Sequence, residues 1–97
     1  MSTVTIIAKL TIKEAAVAAV KNEMLKLVMP TRQEAGCLEY RLHQDNAEPN
    51  VFIFYENWQS MASFEEHLNT QHYKSYSTAI EGAVIDKVVH KMTCISG

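Results

Sequence analysis

The segment Val51-Phe52-Ile53-Phe54-Tyr55-Glu56-Asn57-Trp58 carries apolar side chains at both odd and even positions. Side chains alternate between the faces of a strand. Phe52, Phe54 and Trp58, with Glu56 among them, therefore take one face, while Val51, Ile53 and Tyr55 take the other. A strand apolar on both faces is stable only where both are covered. With 97 residues the chain can build one modest core. Its own helices can cover one face of such a strand, and the other needs a further partner.

The flanking segments supply the first cover. Residues 3–12 alternate, with Val4, Ile6, Ala8, Leu10 and Ile12 on one side and Thr3, Thr5, Lys9 and Thr11 on the other, where Ile7 is the apolar exception. Over residues 14–29 the spacing changes to steps of three and four through Ala16, Val17, Val20, Met24, Leu27 and Val28, which predicts a helix with one apolar stripe. Pro30 should kink or interrupt it, having no N–H to donate. A further turn follows through Thr31–Ala35, and Gly36 is expected to end it in the left-handed conformation. Residues 37–44 form a strand with Leu38, Tyr40 and Leu42 on one face and Glu39, Arg41 and His43 on the other, joined by the turn-rich loop Asp45–Asn50 to the strand 51–58. Ser60 is an N-cap for a short helix burying Met61, Phe64 and Leu68, and Thr70 caps a second one through His72, Tyr73, Tyr76 and Ile80 to Gly82. A last strand spans residues 84–95, with Val84, Val88, Met92 and Cys94 on one face and Ile85, Val89 and Ile95 on the other.

This order is βαββαβ with a broken second helix, and it predicts an α+β, ferredoxin-like domain over residues 1–97 with an antiparallel sheet. Helices then cover one sheet face only. The other keeps an apolar patch of the kind that marks an interface. A homodimer with its two sheets face to face is expected, since a two-fold axis lets one patch serve both subunits.

Net charge is −2 with Lys and Arg scattered, so no basic stripe is present for a nucleic-acid backbone. No apolar run approaches the ~20 residues of a membrane span, and the first residues lack the basic lead of an export signal. Cys37 and Cys94 form no CxxC pair and read as reduced packing thiols, which points to the cytoplasm.

Several residues exceed what core-building needs. His67 stands one turn after Phe64 and beside Leu68, on the edge of a buried helix face. Its neutral imidazole can accept a phenolic proton near neutral pH, or it can simply tie helix to sheet. Glu56, among Phe54 and Trp58, must be paired, exposed or raised in pKa. It could orient His67 or make a structural hydrogen bond. Trp58, Tyr40, Phe52, Phe54, Tyr73 and Tyr76 could wall a pocket for a flat ring, although Phe52 and Phe54 read as plain core packing. Asn57 could bond a substrate carbonyl, although alternation sets it opposite Trp58. His72 is placed near the pocket mouth. It lies five residues after His67 across a helix break, which is not the spacing of a helical zinc pair, so no metal is expected.

The blocks Glu34-x-Gly36-Cys37-Leu38-x-Tyr40, Tyr55-Glu56-x-Trp58, Phe64-x-x-His67-Leu68 and Thr70-x-His72-Tyr73, in that order, resemble the antibiotic biosynthesis monooxygenase family of dimeric α+β barrels, including its quinol monooxygenase type. The resemblance implies a cavity between sheet and helices and oxidation of a small aromatic quinol or polycyclic phenol by O₂ without metal, flavin or haem. His67 would be the base, Glu56 its partner, and Trp58, Tyr40, Asn57, His72, Tyr76 and Phe64 the substrate contacts. The haem-degrading branch uses an Asn, a Trp and a ligating His where this chain has Ile7, His67 and Ser77, so that chemistry is not implied. Non-oxidative proton transfer on a small hydroxy-carbonyl compound, and non-catalytic ligand binding, are alternatives that the same fold allows.

Overall fold

A computed structural model describes residues 3–97. Strand β1 (Val4–Ile12) leads through a single 3₁₀ turn (Glu14–Ala16) into helix α1 (Val17–Arg32); β2 (Cys37–Gln44) and β3 (Val51–Trp58) form a hairpin; α2 (Met61–Leu68) and α3 (Gln71–Ile80) follow, and β4 (Val84–Met92) ends the order. The sheet runs β2-β3-β1-β4 with every neighbouring pair antiparallel. The expected βαββαβ ferredoxin-like arrangement is the observed one.

Register decides which side chains meet the helices. Val4, Ile6, Ala8 and Leu10 on β1 stand opposite Trp58, Glu56, Phe54 and Phe52 on β3, and all eight are buried. From above, α1 contributes Val20, Met24, Leu27 and Thr31, which recur at four, three and four and so share one helix face. Tyr40 and Trp58 are among the largest fully buried side chains. Their edge-on contact, with ring centres 6.4 Å apart, is of the kind worth about 1 kcal/mol beyond area burial.

Four local expectations change. Helix α1 runs through Pro30 to Arg32 rather than breaking. Proline here deprives only one carbonyl, that of the exposed Lys26, of its intrahelical partner, and the buried Thr31 hydroxyl donates to the Leu27 carbonyl at 2.7 Å. Gly36 is not left-handed; the only glycines with positive φ are Gly82 and Gly97. A glycine at 36 serves space instead, because a Cβ there would collide with the Ser63 side chain. Strand β4 ends at Met92, and Cys94 and Ile95 are exposed beyond it rather than packed. A register shift opposite Thr11 and Ile12 sets Val84 on the helix side and Val88 on the other face, where the sequence spacing alone had put them together.

The far sheet face carries Ile7, Ile53 and Tyr55, each part-exposed, with Val88 and Met92 at 38% and 51% exposure. No helix among the described residues covers it. Among the described residues, no helix is long and apolar enough to cross a membrane.

Candidate active site

Between the sheet and α2–α3 lies a cavity of about 250 Å³, floored by Ile6, Ala8, Leu10 and Phe54 and walled by Tyr40, Phe64, Tyr73 and Tyr76. His67 and Glu56 also border it, and Lys87 and Lys91 stand where β4 flanks it. Lys87 Nζ donates to the Tyr73 hydroxyl at 3.2 Å.

His67 reaches this cavity because two caps hold the helices. Ser60 Oγ accepts from the Ser63 amide and starts α2. Thr70 Oγ1 accepts from the Tyr73 amide and starts α3, while its own O–H donates to the His67 carbonyl at 2.7 Å. The last turn of α2 and the first of α3 thus meet at His67 and His72. The His67 ring is 1% exposed and packs on Trp58, with ring centres 4.8 Å apart.

The hydrogen bond that orients His67 comes from Glu34. Beyond α1 the chain makes one more turn, with the Glu34 amide bonded to the Thr31 carbonyl at 3.0 Å, and this carries the carboxylate under the helix junction. Glu34 Oε2 lies 2.7 Å from His67 Nδ1 and 2.7 Å from His72 Nε2. An ionised carboxylate only accepts, so both ring nitrogens donate to it and Nδ1 of His67 carries the proton. Nε2 of His67 is then the basic atom, since the bond to Glu34 engages Nδ1 alone. Burial holds the His67 pKa below its ordinary value, with the Glu34 bond acting in the opposite sense, so the ring is neutral at pH 7.

Glu56 does not touch His67 in the expected way. Its Oε1 accepts from Trp58 Nε1 at 2.9 Å. Glu56 sits two residues from Trp58 on the same strand face and bonds it, whereas His67 bonds the Glu34 carboxylate. Burial pushes the Glu56 carboxyl up to about 7, against the Trp58 hydrogen bond and the nearby charge of Lys87. A carboxyl in that range shuttles protons at physiological pH. Burial likewise raises the Tyr40 and Tyr76 hydroxyls above the ordinary phenol range, which keeps both as neutral donors.

Of the expected substrate contacts, Tyr40, Phe64 and Tyr76 line the cavity, together with His67 and Glu56. Trp58 is completely buried behind the histidine. Asn57 is on the far sheet face, accepting from Thr5 Oγ1 at 2.6 Å and donating to Glu39 Oε1 at 3.0 Å, because alternation opposes it to Trp58. His72 is held by Glu34 at the helix junction instead of at a substrate-facing wall. Glu34, Lys87 and Lys91 are additions. Glu34 opens the first of the four blocks that carry the resemblance, but its partner is 33 positions away, and no local periodicity links them.

Residues 3–79 match the family model described as antibiotic biosynthesis monooxygenase. The chain is 34% identical over 76 residues to the Escherichia coli protein named "Probable quinol monooxygenase YgiN", a match covering 70% of this chain and 73% of that one. It is 33% identical over 60 residues to the Synechocystis protein sll1783, covering 58% of this chain but only 41% of that longer relative. Among solved structures, PA3566 from Pseudomonas aeruginosa superposes with a TM-score of 0.94 at 32% identity over 99% of this chain and 97% of that one. A crystal structure titled antibiotic biosynthesis monooxygenase gives 0.91 at 32% identity over 95% and 98%.

Proposed function

The chain belongs to the antibiotic biosynthesis monooxygenase family, and on that premise we propose that it oxidises a small quinol or fused-ring phenol with O₂, using its own side chains in place of an organic or metal cofactor. The observation that carries this reading is the Glu34–His67 pair, which leaves a neutral imidazole, its basic nitrogen free of that bond, beside an aromatic cavity.

In this reading a phenolic or benzylic proton passes to His67 Nε2, and Glu34 stabilises the imidazolium that forms. The electron-rich anion then gives an electron to O₂, and the radical pair joins as a peroxide anion at ring carbon, which takes the proton back from His67 to become a hydroperoxide. Where that carbon still bears a hydrogen, loss of water leaves a carbonyl, so one oxygen atom enters the product and the other leaves as water. Glu56, whose carboxyl burial pushes up to about 7, gives a proton to the departing oxygen while His67 takes the carbon-bound one. The cavity of about 250 Å³ is near the lower limit for small-molecule sites and favours one or two rings.

The uncovered sheet face supports a homodimer as the working assembly, with Ile7, Ile53, Tyr55, Val88 and Met92 meeting their counterparts.

The test is oxygen uptake by purified protein with a panel of benzene and naphthalene hydroquinones. His67→Gln, which fills the same space without a base of similar strength, should lower the rate by about 10²- to 10⁴-fold. Full activity in that variant removes the mechanism. Equal turnover without oxygen would replace it with proton transfer on a carbonyl substrate.

A further inference from the structure

We propose that Glu34, His67 and His72 form a binding site for one divalent transition-metal ion, of the zinc or cobalt class. Three potential ligand atoms, one from each residue, lie within 4.8 Å of one another. Two imidazole nitrogens converge on a single carboxylate oxygen, each at 2.7 Å. Two imidazoles and one carboxylate form a donor set that first-row divalent ions accept. With metal–ligand bonds of ~2.1 Å, neighbouring ligand atoms sit roughly 3.0 Å apart around an octahedral ion and about 3.4 Å around a tetrahedral one. The two nitrogen–oxygen separations would open by a few tenths of an ångström, while the two imidazole nitrogens, within 4.8 Å of each other, would draw together toward that spacing by side-chain rotation.

Access is also provided. His72 and Glu34 side chains are 28% and 14% exposed, so an ion can enter from solvent while His67 closes the site from within. Water would complete the coordination. Sequence spacing hid this set, because the carboxylate comes from the loop after α1 and the two histidines from different helices.

Loading shifts a proton within the imidazole of His67. That ring carries its hydrogen on the nitrogen that faces Glu34. The ion takes that nitrogen's lone pair, and the hydrogen moves to the other ring nitrogen. For His67 this puts the proton on Nε2, the atom that serves as base. If the proposed function is right, metal-loaded protein therefore lacks its base, and the ion is an inhibitor rather than a cofactor. This consequence rests on the proposed function; the binding itself does not.

The experiment is calorimetric titration of chelator-treated full-length protein with Zn²⁺, with Co²⁺ absorption as a second readout. One ion per chain is expected. His72→Ala and Glu34→Gln should each weaken binding by at least the 10- to 100-fold, roughly, that even an outer-shell change costs a metal site. A His43→Ala/His90→Ala variant, lacking the two exposed histidines on the sheet, should bind as wild type. No Zn²⁺ binding, or binding that survives His72→Ala and disappears in the His43/His90 variant, overturns the site. Binding that passes these tests while a confirmed activity is unaffected by Zn²⁺ overturns the inhibitory consequence alone.

Discussion

Glu34 and His67 are 33 positions apart in the chain and joined by a hydrogen bond of 2.7 Å. The bond spans the loop after α1 and the end of α2, and it fixes which nitrogen of the imidazole is free. A carboxylate that orients a histidine without lining the substrate cavity acts through that histidine.

Glu34→Gln should therefore lower kcat by about tenfold or more while leaving KM nearly unchanged, because Glu34 makes no cavity wall. Steady-state oxygen uptake over a range of quinol concentrations separates the two constants. A rise in KM at constant kcat would assign Glu34 to substrate binding instead.

Gly36→Ala should destabilise the protein by about 1–3 kcal/mol. The new methyl group would press on Ser63, which starts α2 by bonding the Ser60 cap. Ser63 and His67 are four residues apart and share a helix face, so the displacement should also lengthen the Glu34–His67 bond. For a domain of this size the melting temperature should fall by roughly 4–8 °C per kcal/mol. An unchanged melting temperature would show that α2 yields freely.

Glu56 predicts a pH dependence of stability. Its folded-state pKa, about 7, is above the ordinary 4.5, so between those values the folded chain binds more protons than the unfolded one. Stability from this group is full below about 4.5 and declines as pH rises to about 7, by up to about 3 kcal/mol. Glu56→Gln removes the titration while keeping an acceptor for Trp58. Relative to wild type, the variant should gain stability between pH 5 and 8, as read by urea unfolding at each pH. Parallel pH profiles would mean that the carboxyl stays ionised in the fold.

The open sheet face predicts the assembly. Light scattering should give a mass of twice 11.0 kDa, and Ile7→Lys, which puts a charge at the centre of that face, should give single subunits with native circular dichroism. Single subunits in the wild-type protein would leave the face without its proposed partner.

Much of the fold was legible in the sequence because period two and period 3.6 are local signals. Strands at 37–44 and 51–58, the caps Ser60 and Thr70, and the inward set from Val4 to Ile12 follow from spacing between near neighbours. The misjudged details, Pro30, Gly36 and the face of Val84, depend on what lies across the chain: where a helix ends, how closely α2 approaches, and a register shift between strands that are remote in sequence.

The site divides along the same line. The alternation along β3 and the helical spacing of α2 were enough to set Glu56 and His67 facing the interior and Asn57 away from it. Which carboxylate would hold the histidine was settled only in three dimensions. Hydrogen bonds form over less than 3.2 Å, roughly, and a distance of 33 positions along the chain carries no information about that gap until sheet and helices have packed.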